Sequence, residues 1–187
     1  MGQHEVVGQA AGRMSRWVYL LIGLSVISGG CGSPEVQLSK AGQACKAGLL
    51  REMALLTTAL AGPVAQQDWD ALQPILQNCY GRIEREGGFV PFRIVVLDQN
   101  GIVQAVFPES KQGKLDFSNY DPTRMVYAQK RKVQALLYLE GKKIFIFMAP
   151  VLHNHQVSGA VVMGFPEEAL EKWQVSEKEF LSIDFNN

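Results

Sequence analysis

Between residues 33 and 87, apolar side chains recur at three- and four-residue spacing. Leu38, Ala41, Cys45, Leu49, Met53, Leu56 and Leu60 make one stripe, and Trp69, Leu72, Leu76, Cys79 and Ile83 make a second. That period predicts two amphipathic helices. Gly62-Pro63 is expected to end the first. Asp70, with Gln73 three residues on and Pro74 in the first turn, is expected to open the second, and Gly87-Gly88 to close it. From residue 89 the period shortens. Residues 92–98 and 102–106 are β-branched runs flanking Gln99-Asn100-Gly101, an Asn-Gly turn that predicts a hairpin. A polar crossover bearing Gly and Pro follows, with a short helix over residues 122–130. Three strands are then expected at 133–139, 142–151 and 157–165. A last helix over 166–173 carries Glu167 and Glu168 where its N-terminal dipole favours them. The order describes an α+β domain, with a long N-terminal helix or helical hairpin packed on a five-stranded antiparallel sheet. Residues 33–88 form its helical part, 89–173 its sheet core and 174–187 a C-terminal tail.

Residues 1–30 depart from this pattern. Arg13 and Arg16 precede an uncharged run over 17–28. Its length suits a signal-peptide core of ~7–15 residues and falls short of the ~20 needed to span a bilayer. Ser28-Gly29-Gly30-Cys31 resembles the lipobox of bacterial lipoproteins, with Ser28 where that motif usually carries Leu. The resemblance implies cleavage before Cys31 and acylation of Cys31. An ordinary small-x-small cleavage that releases a soluble protein and an uncleaved anchor are the alternatives. Either cleavage places the domain in the bacterial cell envelope, facing the periplasm. Gly32-Ser33, with no acidic residue after the cysteine, points to the outer membrane.

Charge narrows the partners. The 18 Lys+Arg balance 18 Asp+Glu, which removes the basic footprint of a nucleic-acid binder. Losing Arg13, Arg16 and Glu5 with residues 1–30 leaves that balance almost even. Membrane attachment would then come through a lipid anchor only, at ~0.8 kcal/mol per buried CH₂. Of the three cysteines, Cys31 is the lipidation candidate. Cys45 and Cys79 share the helical seam, where an oxidising compartment favours a disulfide and two buried free thiols are the alternative.

Four segments carry a family resemblance: FRIVVLDQNG (92–101), GKLDFSNY (113–120), GKKIFIFMAPV (141–151) and VSGAVVMGF (157–165). Together they resemble the single Cache domain, a PAS-like extracellular sensor module, across roughly residues 33–173. The resemblance implies a small-molecule ligand, often a carboxylate or amino acid, held between the sheet and the crossover. Candidate roof residues are Tyr120, Asp121, Arg124 and Tyr127. Arg124 offers a fork for a carboxylate, and Asp121 a partner for an amine. Candidate sheet residues are Tyr138, Phe145 and Phe147, the last two on one face by period two, and Arg93 at the start of the first strand. Asp98 is expected to serve its turn. Lys130-Arg131-Lys132 is expected to be a solvated helix end, and His153-Asn154-His155 a tight turn and no metal site.

The sequence lacks a nucleophile elbow, HExxH, a phosphate-binding glycine loop and CxxCH. The expected activity is therefore binding, with no enzyme chemistry, cofactor or metal. No second apolar run follows the sheet before Asn187, so a separate membrane receptor is the expected partner of a ligand-binding lipoprotein. The competing expectation is a lipoprotein that keeps the fold and uses it to dock proteins.

Overall fold

A computed structural model describes residues 37–86, 88–109, 116–139 and 141–187. The expected signal peptide and Cys31 lie outside the described residues. Helices α1 (Lys40–Gln66) and α2 (Leu72–Glu86) precede strands β1 (Arg93–Asp98) and β2 (Val103–Phe107). Helix α3 (Asp121–Gln129) lies on the crossover to β3 (Val133–Leu139), β4 (Lys142–His153) and β5 (Gln156–Pro166). Two short helices, α4 (Glu167–Lys172) and α5 (Glu177–Ser182), finish the chain. The strands form one antiparallel sheet in the order β2-β1-β5-β4-β3. Because β2 and β3 are opposite edges, the connection between them has to cross a whole sheet face, and it carries α3 over that face.

Period two divides the strands between two cores. Ile94, Val96, Phe145, Phe147, Val161, Met163 and Phe165 face the helical layer, where Leu49, Met53, Leu56 and Leu60 of α1 and Leu72, Leu76 and Ile83 of α2 meet them. Val95, Leu97, Ile144, Ile146, Met148, Ala160 and Val162 face the other way, toward the crossover. Residues 174–187 do more than trail: Val175, Phe180, Ile183 and Phe185 are buried in the helical core. Phe147 stacks 4.2 Å from Phe185, and Phe145 meets Phe180 edge-on at 5.6 Å. Full burial of each such ring contributes about 1.5–3 kcal/mol.

Helix α1 does not stop at Gly62-Pro63. It runs one more turn with Pro63 inside, because Val64 is buried there and the left-handed Gln67 closes the end on the Val64 carbonyl. At the start of α2, Asp68 rather than Asp70 offers the capping oxygen, to the Ala71 N–H at 3.3 Å. Cys45 and Cys79 are free thiols, not a disulfide, Cys45 buried and Cys79 partly exposed. The reason is register. Arg82 of α2 meets Glu52 of α1, which sets Cys79 nearly three helical turns, about 15 Å, along the seam from Cys45. A disulfide needs Cα atoms ~5.5–6 Å apart. Burial pushes the Cys45 thiol up to about 12 and raises that of Cys79. Among the described residues, no helix is long and apolar enough to cross a membrane.

Candidate functional site

The crossover face is where the chain can enclose something. Its floor is made by Arg93, Val95 and Leu97 of β1, Leu137 and Leu139 of β3, Ile144, Ile146 and Met148 of β4, and Ala160, Val162 and Gly164 of β5. Three devices hold the roof over it. Asp98 organises the β1–β2 turn, its Oδ1 accepting from the N–H groups of Asn100 at 2.8 Å and Ile102 at 3.0 Å. Gly101 in that turn has φ +82°, and an added Cβ would lie 2.8 Å from the Ser118 backbone. Only glycine lets the returning crossover come so close, and the Phe117 N–H then donates to the Gly101 carbonyl at 2.9 Å.

Two tyrosines supply the rest of the clamp. The Tyr120 hydroxyl, just before α3, donates to the Leu136 carbonyl on β3 at 3.3 Å. Tyr127, at the other end of α3, donates to the Asp98 carbonyl at the end of β1. Between them Val126 is fully buried against the sheet. Burial raises both phenols above their ordinary value, with the Asp98 charge adding to the effect at Tyr127. Both therefore stay protonated donors across the neutral range.

Beneath one end of this roof lies a hollow of about 40 Å³, against the ~10–15 Å³ that a single water needs on the same measure. Val95, Leu137, Leu139, Ile144, Ile146 and Val162 wall it, Phe117 covers it and Gly164 lies in its floor. Arg93 and Phe92 stand at its edge, with the guanidinium carbon 4.9 Å from the centre of the Phe92 ring.

The eight sequence candidates divide on this geometry. Arg93, Tyr120 and Tyr127 belong to the crossover face. Asp121 and Arg124 are on α3 but on its solvent side, 85% and 60% exposed, paired to each other at 3.4 Å. Arg124 also donates to Asn119 Oδ1 at 3.2 Å. Such a pair is worth little in water. Tyr138 alternates with Leu137 and Leu139, so it sits on the opposite face, and it is 63% exposed. Phe145 and Phe147 are core residues of the helical layer, not sheet-side pocket residues. The aliphatic residues of the other parity, Ile144 and Ile146, line the hollow instead. Alternation separates the two sets, but both parities of β4 are apolar, so the sequence carries no signal for which set lies under the roof. His153 ends β4 and Asn154 and His155 take φ 51° and 63°, a two-residue hairpin turn. Among the described residues, no cluster could hold a metal ion.

No family model matches this chain, and no curated protein matches it by sequence. Solved structures match by fold. The sensory domain of the Campylobacter jejuni chemoreceptor Tlp3 with isoleucine bound aligns with a TM-score of 0.56 at 11% identity, over 71% of this chain and 58% of that one. The ligand-binding domain of the Pseudomonas fluorescens chemoreceptor CtaA in complex with L-serine aligns at 0.56 and 12% identity, over 71% and 57%. That of the Pseudomonas aeruginosa amino-acid chemoreceptor PctC with GABA aligns at 0.51 and 15%, over 72% and 63%. This chain thus spans less than two thirds of the length of each. The structural neighbours are ligand-binding sensory domains of the Cache type, PAS-like in their sheet, and the described residues share their fold.

Proposed function

We propose that this domain binds a small molecule, of carboxylate or amino-acid class, on the crossover face of its sheet and acts as a sensory or ligand-presenting module without catalytic chemistry. The observation that carries the reading is the clamped roof over an apolar hollow with one guanidinium at its edge. An apolar concavity with few polar groups is the usual build of a small-molecule site. The ligands held by the neighbouring chemoreceptor domains, isoleucine, L-serine and GABA, support the same class. In this reading Cys31 carries the acyl anchor in the cell envelope, and a separate membrane receptor receives the liganded domain. A thermal-shift screen of the purified full-length chain against carboxylates and amino acids tests it. Binding predicts a rise in melting temperature that Arg93→Gln removes and Arg124→Ala leaves in place; no stabilisation by any compound refutes it. Intact mass measurement after purification from a bacterial envelope reads the acylation of Cys31.

The second reading is a protein-docking lipoprotein with the same fold. It is favoured by the small size of the hollow and by the exposure of Phe92, Met125, Tyr138 and Leu181. It predicts that the hollow can be filled by substitution without loss of function.

A further inference from the structure

We infer that the polar recess between the end of α1 and the β1–β2 turn is a binding site for one ring of a neutral saccharide. It is separate from the crossover hollow and shares no lining residue with it. Three observations point there. The first is how the recess is built. It exists because α1 overruns Gly62-Pro63: the extra turn brings Val64, Ala65 and Gln67 to its wall, and Trp69 follows. Gly159 lets that turn seat on the sheet. A Cβ there would strike the Leu97 carbonyl and come within 2.8 Å of Val64 Cγ1. Gly159 pairs with Asp98 across β5 and β1, so the helix end and the β1–β2 turn close on one another.

The second observation is what the walls present. Gln67, Gln99 and Asn100 are exposed, so their amides are solvated, each offering both donors and an acceptor. A sugar hydroxyl also donates and accepts, and it can take the place of those waters without losing their hydrogen bonds. Two further polar groups are held in place. Gln104 Nε2 donates to Asp98 Oδ2 at 2.8 Å, and Ser158 Oγ to the Val151 carbonyl at 3.2 Å. With the two turn N–H groups on Oδ1, three of the about four acceptor positions of Asp98 are filled within the described fold. The remaining one suits a hydroxyl, whose bond to a carboxylate is of the stronger, charge-assisted kind. Trp69 completes the set. It is half-buried against the helical core and lines the recess as well. An indole combines an apolar plate with a donating N–H, which matches the C–H face of a sugar ring beside its rim of hydroxyls.

The third is size. The recess measures about 190 Å³. At ~10–15 Å³ per water on the same measure, it holds on the order of a dozen waters, room for a single sugar ring.

The test is a titration of the isotope-labelled full-length chain, read by its amide NMR shifts. The probes are D-glucose, D-galactose, N-acetyl-D-glucosamine and, as a small organic cation, choline. At least one sugar is expected to shift amides of residues 64–69, 98–104 and 158 and to leave those of Ile144 and Ile146 in place. Gln67→Ala and Gln99→Ala, both on exposed side chains, should each weaken that sugar about fivefold. Trp69→Ala should weaken it about tenfold. Because that variant also loses core packing, Trp69→Phe is measured beside it; keeping an aromatic plate, it should stay within about fivefold of wild type. Choline binding at these amides more tightly than every sugar overturns the saccharide assignment. No shift there with any of the four probes, or sugar binding indifferent to Gln67, Gln99 and Trp69, overturns the site itself. Sugar shifts centred on the crossover hollow also overturn it, and support the hollow instead.

Discussion

Replacing Gly101 by alanine should loosen the roof selectively, and a second glycine in the same chain supplies the control. Gly101 has φ +82° and Gly141 has φ +76°. Placing an alanine in either left-handed position costs about 1–2 kcal/mol. At Gly141 nothing lies within 4 Å of the added Cβ, so the cost ends there. At Gly101 the same atom would come within 2.8 Å of the Ser118 Cα and 2.9 Å of its nitrogen. Backbone cannot rotate out of the way as a side chain can. The crossover must therefore move, giving up the Phe117-to-Gly101 hydrogen bond, worth about 1 kcal/mol, and part of the burial of Phe117. Gly101→Ala should lose about 3 kcal/mol in urea denaturation, with the slope unchanged, against about 1–2 kcal/mol for Gly141→Ala. Amide exchange at Phe117 should accelerate in the first variant only. Equal losses from the two substitutions, with Phe117 still protected, would refute the claim that Gly101 seats the roof.

Other outcomes follow from single features. Thr123 is buried with its Oγ1 lacking a hydrogen-bond partner, so Thr123→Val should hold or raise stability, by up to about 1 kcal/mol; a clear loss in the same denaturation assay would mean the hydroxyl is satisfied. Glu52 is only 2% exposed, and burial by itself raises its pKa, but hydrogen bonds and charge from Arg82 and Arg51 more than offset this and hold it below its ordinary 4.5. A lowered folded value means the stabilisation is present above the unfolded pKa and is lost as pH falls through the folded one. Wild type should thus lose stability steeply below about pH 4.5, while Glu52→Gln, weaker by about 1–3 kcal/mol at neutral pH, should show a flatter acid limb. In the native protein a thiol reagent should reach Cys79 well before Cys45, whose thiol is buried and held protonated; equal rates would place Cys45 outside the seam. Truncation before Val175 removes Phe180, Ile183 and Phe185 from the core, and should cost more than one large-to-small core change, about 3–5 kcal/mol, read as a lower melting temperature.

Much of the architecture was written in local pattern. The helical stripes, the Asn-Gly hairpin and the three closing strands depend on neighbours within a few residues, so periodicity and turn chemistry reveal them directly. Val133–Leu139 emerges with the bounds its apolar run suggests, and Asp98 bonds its own turn as an aspartate in that place should. Pro63 shows the limit: a local breaker lost to a distant gain, since burying Val64 in the tertiary core outweighs one missing helical hydrogen bond. The cysteine pair fails for the same reason. Both residues lie on the seam, as their spacing says, but the axial register between two helices is set by which side chains meet across it, here Arg82 with Glu52. The site belongs to this second kind. Every residue of β4 from Ile144 to Ala149 is apolar and buried, so alternation separates Ile144 and Ile146 from Phe145 and Phe147 without saying which set lies under the roof. Strand order decides that. Placing β1 beside β5 brings Arg93 opposite Gly164, and sending the crossover over the face that α1 and α2 leave open turns that pair into the edge and floor of a hollow. Residues so far apart along the chain have no local interaction to record their meeting, and only the closed sheet brings them together.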